Sequence, residues 1–137
     1  MEVNYCYYAT ILEVVDGDTF VASVDLGLEI SKICRIRVFD LDTPEKFCKH
    51  GDTQEKELGI ICKEYAAKIL TNKQVIIHTL KNKEDKLYDS FGRLLADVYI
   101  DGVSWAESLS SLGVNKLKDN YSIDNVYNLR DKYLTNE

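Results

Sequence analysis

Apolar and polar positions alternate with a period of two along five stretches of the chain and recur with a helical period along three others. Tyr5 to Val15, rich in β-branched and aromatic residues, predicts a first strand. Asp16-Gly17-Asp18 reads as a tight hairpin turn, and Thr19 to Leu26 as the returning strand. Gly27 marks the next reversal, and Ile30 to Leu41 is the third strand, its alternation imperfect around Cys34, Arg35, Arg37 and Asp40. Lys46 to Asp52 is polar, contains Gly51 and predicts an exposed loop. From Thr53 to Leu70 the apolar residues Leu58, Ile61, Cys62, Tyr65, Ala66 and Ile69 fall on one helical face, weakened at Gly59 by about 1 kcal/mol relative to Ala.

Gln74 to Leu80 predicts a fourth strand, Lys81 to Asp89 a charged connection, and Arg93 to Ile100 a fifth strand turning at Asp101-Gly102. Ser104 and Glu107 form a capping box that opens a helix to about Leu112, stopped by Gly113. A last helix starts at Asp124, with Val126, Tyr127, Leu129, Tyr133 and Leu134 inward. Three strands, a helix, two strands and two helices is the order of an α+β fold: a five-stranded OB-fold β-barrel with three helices.

Length and composition narrow this. A chain of 137 residues with 45% apolar residues supports one domain, expected to span 1–137. No apolar run of about 18 residues is present, which argues against a membrane partner. The first residues lack a basic and apolar leader pattern, so a cytoplasmic location is expected unless a precursor segment was removed. Cys6, Cys34, Cys48 and Cys62 make no Cys-x-x-Cys pair, which fits reduced thiols rather than a zinc ribbon. Cys48 and His50 have no second ligand pair near them and read as loop residues, while His78 reads as a barrel-edge residue.

The net charge of −6 is unevenly spread. Residues 1–30 carry six acids and no Lys or Arg, residues 46–93 carry ten bases against seven acids, and residues 94–137 carry four bases against seven acids. An acidic chain thus has a positive middle, which permits a phosphate-facing side.

The chemistry concentrates where the third strand ends, in Arg35-Ile-Arg-Val-Phe-Asp-Leu-Asp-Thr-Pro-Glu45. Pro44 cannot donate to a ladder and pushes Thr43 into an extended or turn conformation, so Arg37, Asp42 and Glu45 lie within a few residues of one another. Alone, such a cluster reads equally as a surface salt-bridge group. Val15-Asp-Gly-Asp-Thr19 and Asp89-Ser-Phe-Gly-Arg93 change that balance. Phosphodiester cleavage needs charge neutralisation, an activated water and a stabilised leaving oxygen. Asp18, Asp42 and the Thr43 carbonyl form an all-oxygen set suited to Ca²⁺ or Mg²⁺. Arg37 and Arg93 suit bidentate phosphate binding, and Glu45 remains to orient or deprotonate water.

With these motifs in this order and spacing, the chain resembles the staphylococcal nuclease (thermonuclease) family over roughly Val3 to Leu134. The resemblance implies that Asp18, Asp42 and the Thr43 carbonyl bind Ca²⁺, with Mg²⁺ as a second candidate. It implies that Arg37 and Arg93 hold the scissile phosphate and that Glu45 is the general base. The implied activity is hydrolysis of DNA or RNA with little sequence preference, leaving 3′-phosphate ends. Two features depart from the family: its Lys-Tyr before Gly-Arg is Ser90-Phe91 here, and of its two substrate-stacking tyrosines only Tyr121 has a counterpart, with Asp119 near the other. Phe91 and Tyr121 are therefore the expected base contacts. Arg35, on the face of Arg37, is a second phosphate contact or a partner for Asp40. Asp16 is expected to accept bonds within its own turn, and Trp105 to belong to the core. A monomeric nuclease that favours single strands is the reading that follows. The alternative is a non-catalytic module of the same fold that binds nucleic acid or protein, but the residues such modules usually lose are all present here.

Overall fold

The structure, a computed structural model, describes residues 5–46 and 52–134. Cys48 and His50 lie outside them. Five strands form the barrel: β1 (Cys6–Asp16), β2 (Thr19–Asp25), β3 (Ser31–Val38), β4 (Gln74–Thr79) and β5 (Leu94–Ile100). A two-residue strand, β6 (Val103–Ser104), extends β5, and three helices follow their expected places: α1 (Thr53–Leu70), α2 (Trp105–Ser111) and α3 (Ile123–Leu129). The order β3-β2-β1-β4-β5 runs antiparallel throughout, and a short parallel pairing of Ile36, Arg37 and Val38 with Leu94, Leu95 and Ala96 closes it. That closure identifies the predicted five-stranded OB-fold barrel.

Alternation dictates what each strand buries. Cys34, Ile36 and Val38 of β3 face inward with Phe20, Ala22 and Val24 of β2, while Ile33, Arg35 and Arg37 face out. β3 ends at Val38, three residues before the expected Leu41, because Asp40 adopts a left-handed conformation (φ 58°) that turns the chain out of the ladder. Leu41 nonetheless returns to the core at 1% exposure. Asp40 does not pair with Arg35; its carboxylate takes the Lys118 ammonium at 2.9 Å, so that expectation is corrected.

The helices seal the barrel's ends and flank. Asp52 caps α1 by accepting from the amides of Gln54 and Glu55. The last helix begins at Ile123 rather than Asp124, because the Ser122 hydroxyl caps it by accepting from the Asn125 amide, and it runs into a π-helical segment, Arg130–Leu134. Trp105 is core, as expected. Its ring stacks on Tyr65 at 6.0 Å, meets Phe20 edge-on, and donates its indole N–H to the Gly17 carbonyl at 2.9 Å. This last bond ties the β1–β2 turn, and with it Asp18, to α2. Among the described residues no helix is long and apolar enough to cross a membrane.

Candidate active site

Asp18 stands at the head of β2, where Asp16 pairs with Thr19 and leaves Gly17-Asp18 as the turn. Asp18 is buried (5% exposed), and both of its carboxylate oxygens are engaged. Oδ1 accepts from the Thr19 hydroxyl at 2.9 Å, and Oδ2 accepts from the Thr43 amide at 3.0 Å and the Thr43 hydroxyl at 3.3 Å. The Arg37 guanidinium lies 3.5 Å from the same Oδ2. Burying a carboxylate is costly unless its oxygens find hydrogen-bond partners such as these. Thr43 itself is fully buried, against Gly17: a methyl group on Gly17 would sit 2.8 Å from the Thr43 Oγ1. Glycine is what lets the β1–β2 turn and the 38–45 loop meet.

Arg37 is oriented by its own loop. Nη1 donates to the carbonyls of Leu41 (2.6 Å) and Val38 (3.1 Å), and Nη2 lies 4.0 Å from Asp42 Oδ1. Both Nη1 protons are thus committed, whereas Nε and Nη2 donate to no described residue and form the free side of the fork. A phosphate approaching that side meets two parallel N–H donors. The Thr43 carbonyl likewise accepts no hydrogen bond from a described residue, which leaves its lone pairs available.

Asp42 is half-exposed and held through its backbone. Its amide donates to Asn115 Oδ1 at 3.1 Å, and its carbonyl accepts from the Lys116 amide at 2.7 Å. Asn115 is fully buried, and its amide group also accepts from Leu117 N and donates to the Asp40 carbonyl and the Ser110 hydroxyl, both at 2.9 Å. All four bonds of this side chain clamp the loop that carries Asp42 to the turn after α2. Nothing in the local sequence flags it.

Glu45 is exposed and makes no hydrogen bond to a described residue. Its backbone and that of Lys46 lie against Gly59 of α1, where a Cβ would overlap them well inside van der Waals contact. Gly59, read from the sequence only as a weakness in the helix, is a seat for the segment that presents Glu45. An isolated glycine on an otherwise apolar helix face is the signal that marks such a seat.

Asp16 corrects another expectation. It accepts no hydrogen bond within its own turn, and its Oδ1 is buried with no hydrogen-bond partner among the described residues. Burial first, and then the neighbouring Asp18, raise its pKa above 3.8, with Glu45 adding to the effect. Asp16 thus buries an oxygen without a partner among the described residues, next to the carboxylates of Asp18 and Glu45.

The remaining site residues frame this centre without touching it. Arg93 precedes β5 by one residue and lies two before Leu95, the cross-strand partner of Arg37. Its Nε donates to Asp89 Oδ2 at 2.7 Å. Burial alone would raise the Asp89 pKa, but hydrogen bonds from the Arg93 amide and guanidinium and from the Phe91 amide outweigh it and hold the carboxyl below 3.8. Phe91 is 80% exposed, with the Arg93 guanidinium 5.3 Å from its ring centre. Tyr121 is half-buried against the core, and burial raises its phenol above 10.0. Arg35 is exposed and has no ion-pair partner among the described residues.

The donor chemistry fits a hard cation. Two carboxylates and a free carbonyl, all oxygen, leave positions for water, and the orphaned Asp16 oxygen lies beside them. Among the described residues no three His, Cys, Asp or Glu side chains form a ready-made cage.

The family described as staphylococcal nuclease homologue matches residues 35–134. An uncharacterized protein of Methanocaldococcus jannaschii, MJ1439, is 31% identical over 96% of this chain, which spans 66% of that relative's length. With the barrel closed as its sequence predicts and most of its length matched, the chain belongs to the staphylococcal nuclease homologue family.

Proposed function

We propose that the protein is a Ca²⁺-dependent nuclease that hydrolyses phosphodiester bonds of DNA or RNA with little sequence preference, Mg²⁺ being the other candidate ion. The observation that carries this reading is the convergence of Asp18, Thr43 and Asp42 on Arg37, whose Nε and Nη2 are left free. Asp18, Asp42 and the Thr43 carbonyl would hold the cation, which would supply charge neutralisation at the phosphate. Arg37 receives a nonbridging oxygen on its free side, and Arg93 opposes it from the start of β5, where charge accumulates in the transition state. Glu45, exposed and uncommitted, takes the proton of the attacking water. Phe91 and Tyr121 offer ring faces to the bases on either side.

Asp89 competes with the phosphate for Arg93. The exchange is favourable only if the phosphate makes more bonds than the single Nε contact it replaces, which a bidentate approach does. Digestion of heat-denatured DNA and of RNA with Ca²⁺, with Mg²⁺ and with chelator tests the reading. Cleavage that chelator abolishes is the expected result. Undiminished cleavage in excess chelator overturns the metal assignment, and no cleavage of either polymer favours a non-catalytic binding module of this fold.

A further inference from the structure

Three of the four arginines are engaged by carboxylates: Arg37 with Asp18 and Asp42, Arg93 with Asp89, and Arg130 with Glu57 and Asp131. Arg35 is the exception among the described residues, although it is exposed on a strand whose next outward residue is Arg37. Its surroundings explain why. The residues beside it on the outer face of β2 are Val21, directly opposite, and Ser23, opposite Ile33, and neither carries charge. Glu13 of β1 lies one strand further, opposite Val21, roughly 9–10 Å away at two strand spacings and near the screening length of physiological salt.

The edge of this strand is also open. β5 pairs with β3 only at Ile36, Arg37 and Val38, so Ser31 to Arg35 have no partner strand on the side away from β2 among the described residues. Beside this edge Ile33 is 68% exposed. A guanidinium and then an apolar side chain thus follow one another away from Arg37 on this face. Alternating cations with apolar and aromatic faces is what a single nucleic-acid strand requires, the cations meeting its phosphates and the rings and alkyl groups its bases. Outward residues two apart on a strand are about 6.6–6.8 Å apart, comparable to the backbone repeat of an extended polynucleotide.

We propose that the outer face of β3 from Arg37 back to Ile33 is a track for the single strand flanking the cleaved bond, with Arg35 holding the phosphate next to the scissile one. The proposal rests on the nuclease reading for its direction. It adds to that reading a substrate preference: chains long enough to reach Arg35 are bound better than a dinucleotide, which spans only the scissile phosphate.

The test has two arms, each comparing wild type with Arg35→Ala and Arg35→Lys, with circular dichroism to verify folding. The first measures kcat/KM with Ca²⁺ on an oligothymidylate several nucleotides long and on a thymidine dinucleotide. Loss of one charge-assisted contact lowers the ratio of the two values by roughly 10-fold in Arg35→Ala, with part of it recovered in Arg35→Lys. The second measures fluorescence anisotropy of the longer oligonucleotide in chelator across salt concentrations. Here Arg35→Ala removes about 0.7 from the log–log salt slope. An unchanged ratio together with an unchanged slope overturns the track. If wild type cleaves neither substrate, the nuclease reading fails and the slope alone decides: a loss of about 0.7 retains the track as a binding surface, and no loss overturns it. Binding of an extended uncharged peptide in place of the oligonucleotide, with no nucleic-acid affinity, also overturns it in favour of strand addition at the open edge.

Discussion

Replacing Asn115 tests whether the loop bearing Asp42 is held from behind by one buried amide. Asn115→Ala removes four hydrogen bonds at once, to Asp42 N, Leu117 N, the Asp40 carbonyl and the Ser110 hydroxyl. At about 0.5–1.5 kcal/mol net for each bond, partly recovered by relaxation, the expected loss is about 2–4 kcal/mol. For a domain of this size that corresponds to a fall in Tm of roughly 6–12 °C. Asn115→Asp keeps the two acceptor roles but loses both donors and sets a carboxylate against the Asp40 carbonyl, so it should fall in the same range. Urea unfolding followed through Trp105, the only tryptophan and stacked on Tyr65, reads the stability directly. Calcium titration of the folded variants reads the site. Because the amide fixes the residue that presents a proposed ligand, affinity should fall about 10-fold or more, as when an outer-shell partner is removed. A stability loss below about 1 kcal/mol for Asn115→Ala refutes the clamp. A large stability loss with unchanged calcium affinity refutes its link to the site.

Other expectations follow from the same geometry. Arg37→Lys keeps the charge but loses both the carbonyl-anchored Nη1 and the free fork, so turnover should fall on the order of 10²-fold, against a far smaller effect of Arg35→Lys on kcat; equal losses would mean the roles of the two arginines are misassigned. Asp16 has a folded pKa raised above 3.8, so it favours folding below that value and its contribution is lost as pH rises through the folded pKa. In calcium-free protein the stability of Asp16→Asn relative to wild type should therefore grow as pH rises from about 4 toward neutrality; urea midpoints that stay parallel would contradict it. Ser90→Lys combined with Phe91→Tyr should lower KM on single-stranded oligonucleotides while changing kcat much less, since the gain is uniform binding; a change confined to kcat would argue against a binding role for this turn.

Much of the fold was legible because its signals are local. Period-two alternation located the five barrel strands to within a few residues, and Ser104 with Gly113 bracketed α2 because capping acts within one turn. The motif spacing likewise brought Asp18, Arg37, Asp42 and Thr43 together, since each sits where a strand begins or ends. Other features had no local signal. β3 stops at Val38 because Asp40 takes a positive φ, and the Asp40 partner proved to be Lys118, 78 positions away in the chain. Asp16 looked like a turn residue by type, yet it accepts no bond within its turn and buries an oxygen without a partner among the described residues.

Sequence by itself determined the element order, the barrel and the identity of the candidate ligands and arginines, because these depend on residue type and short-range periodicity. Tertiary structure alone decided which donors are spent and which are free. It engaged both oxygens of Asp18, committed one face of Arg37 to its own loop, and seated Glu45 on Gly59. It left Arg35 beside Val21 and Ser23, without an ion-pair partner among the described residues. Hydrogen-bond saturation and close approach depend on which distant backbone arrives at a given atom, and a linear pattern carries no distance across the fold.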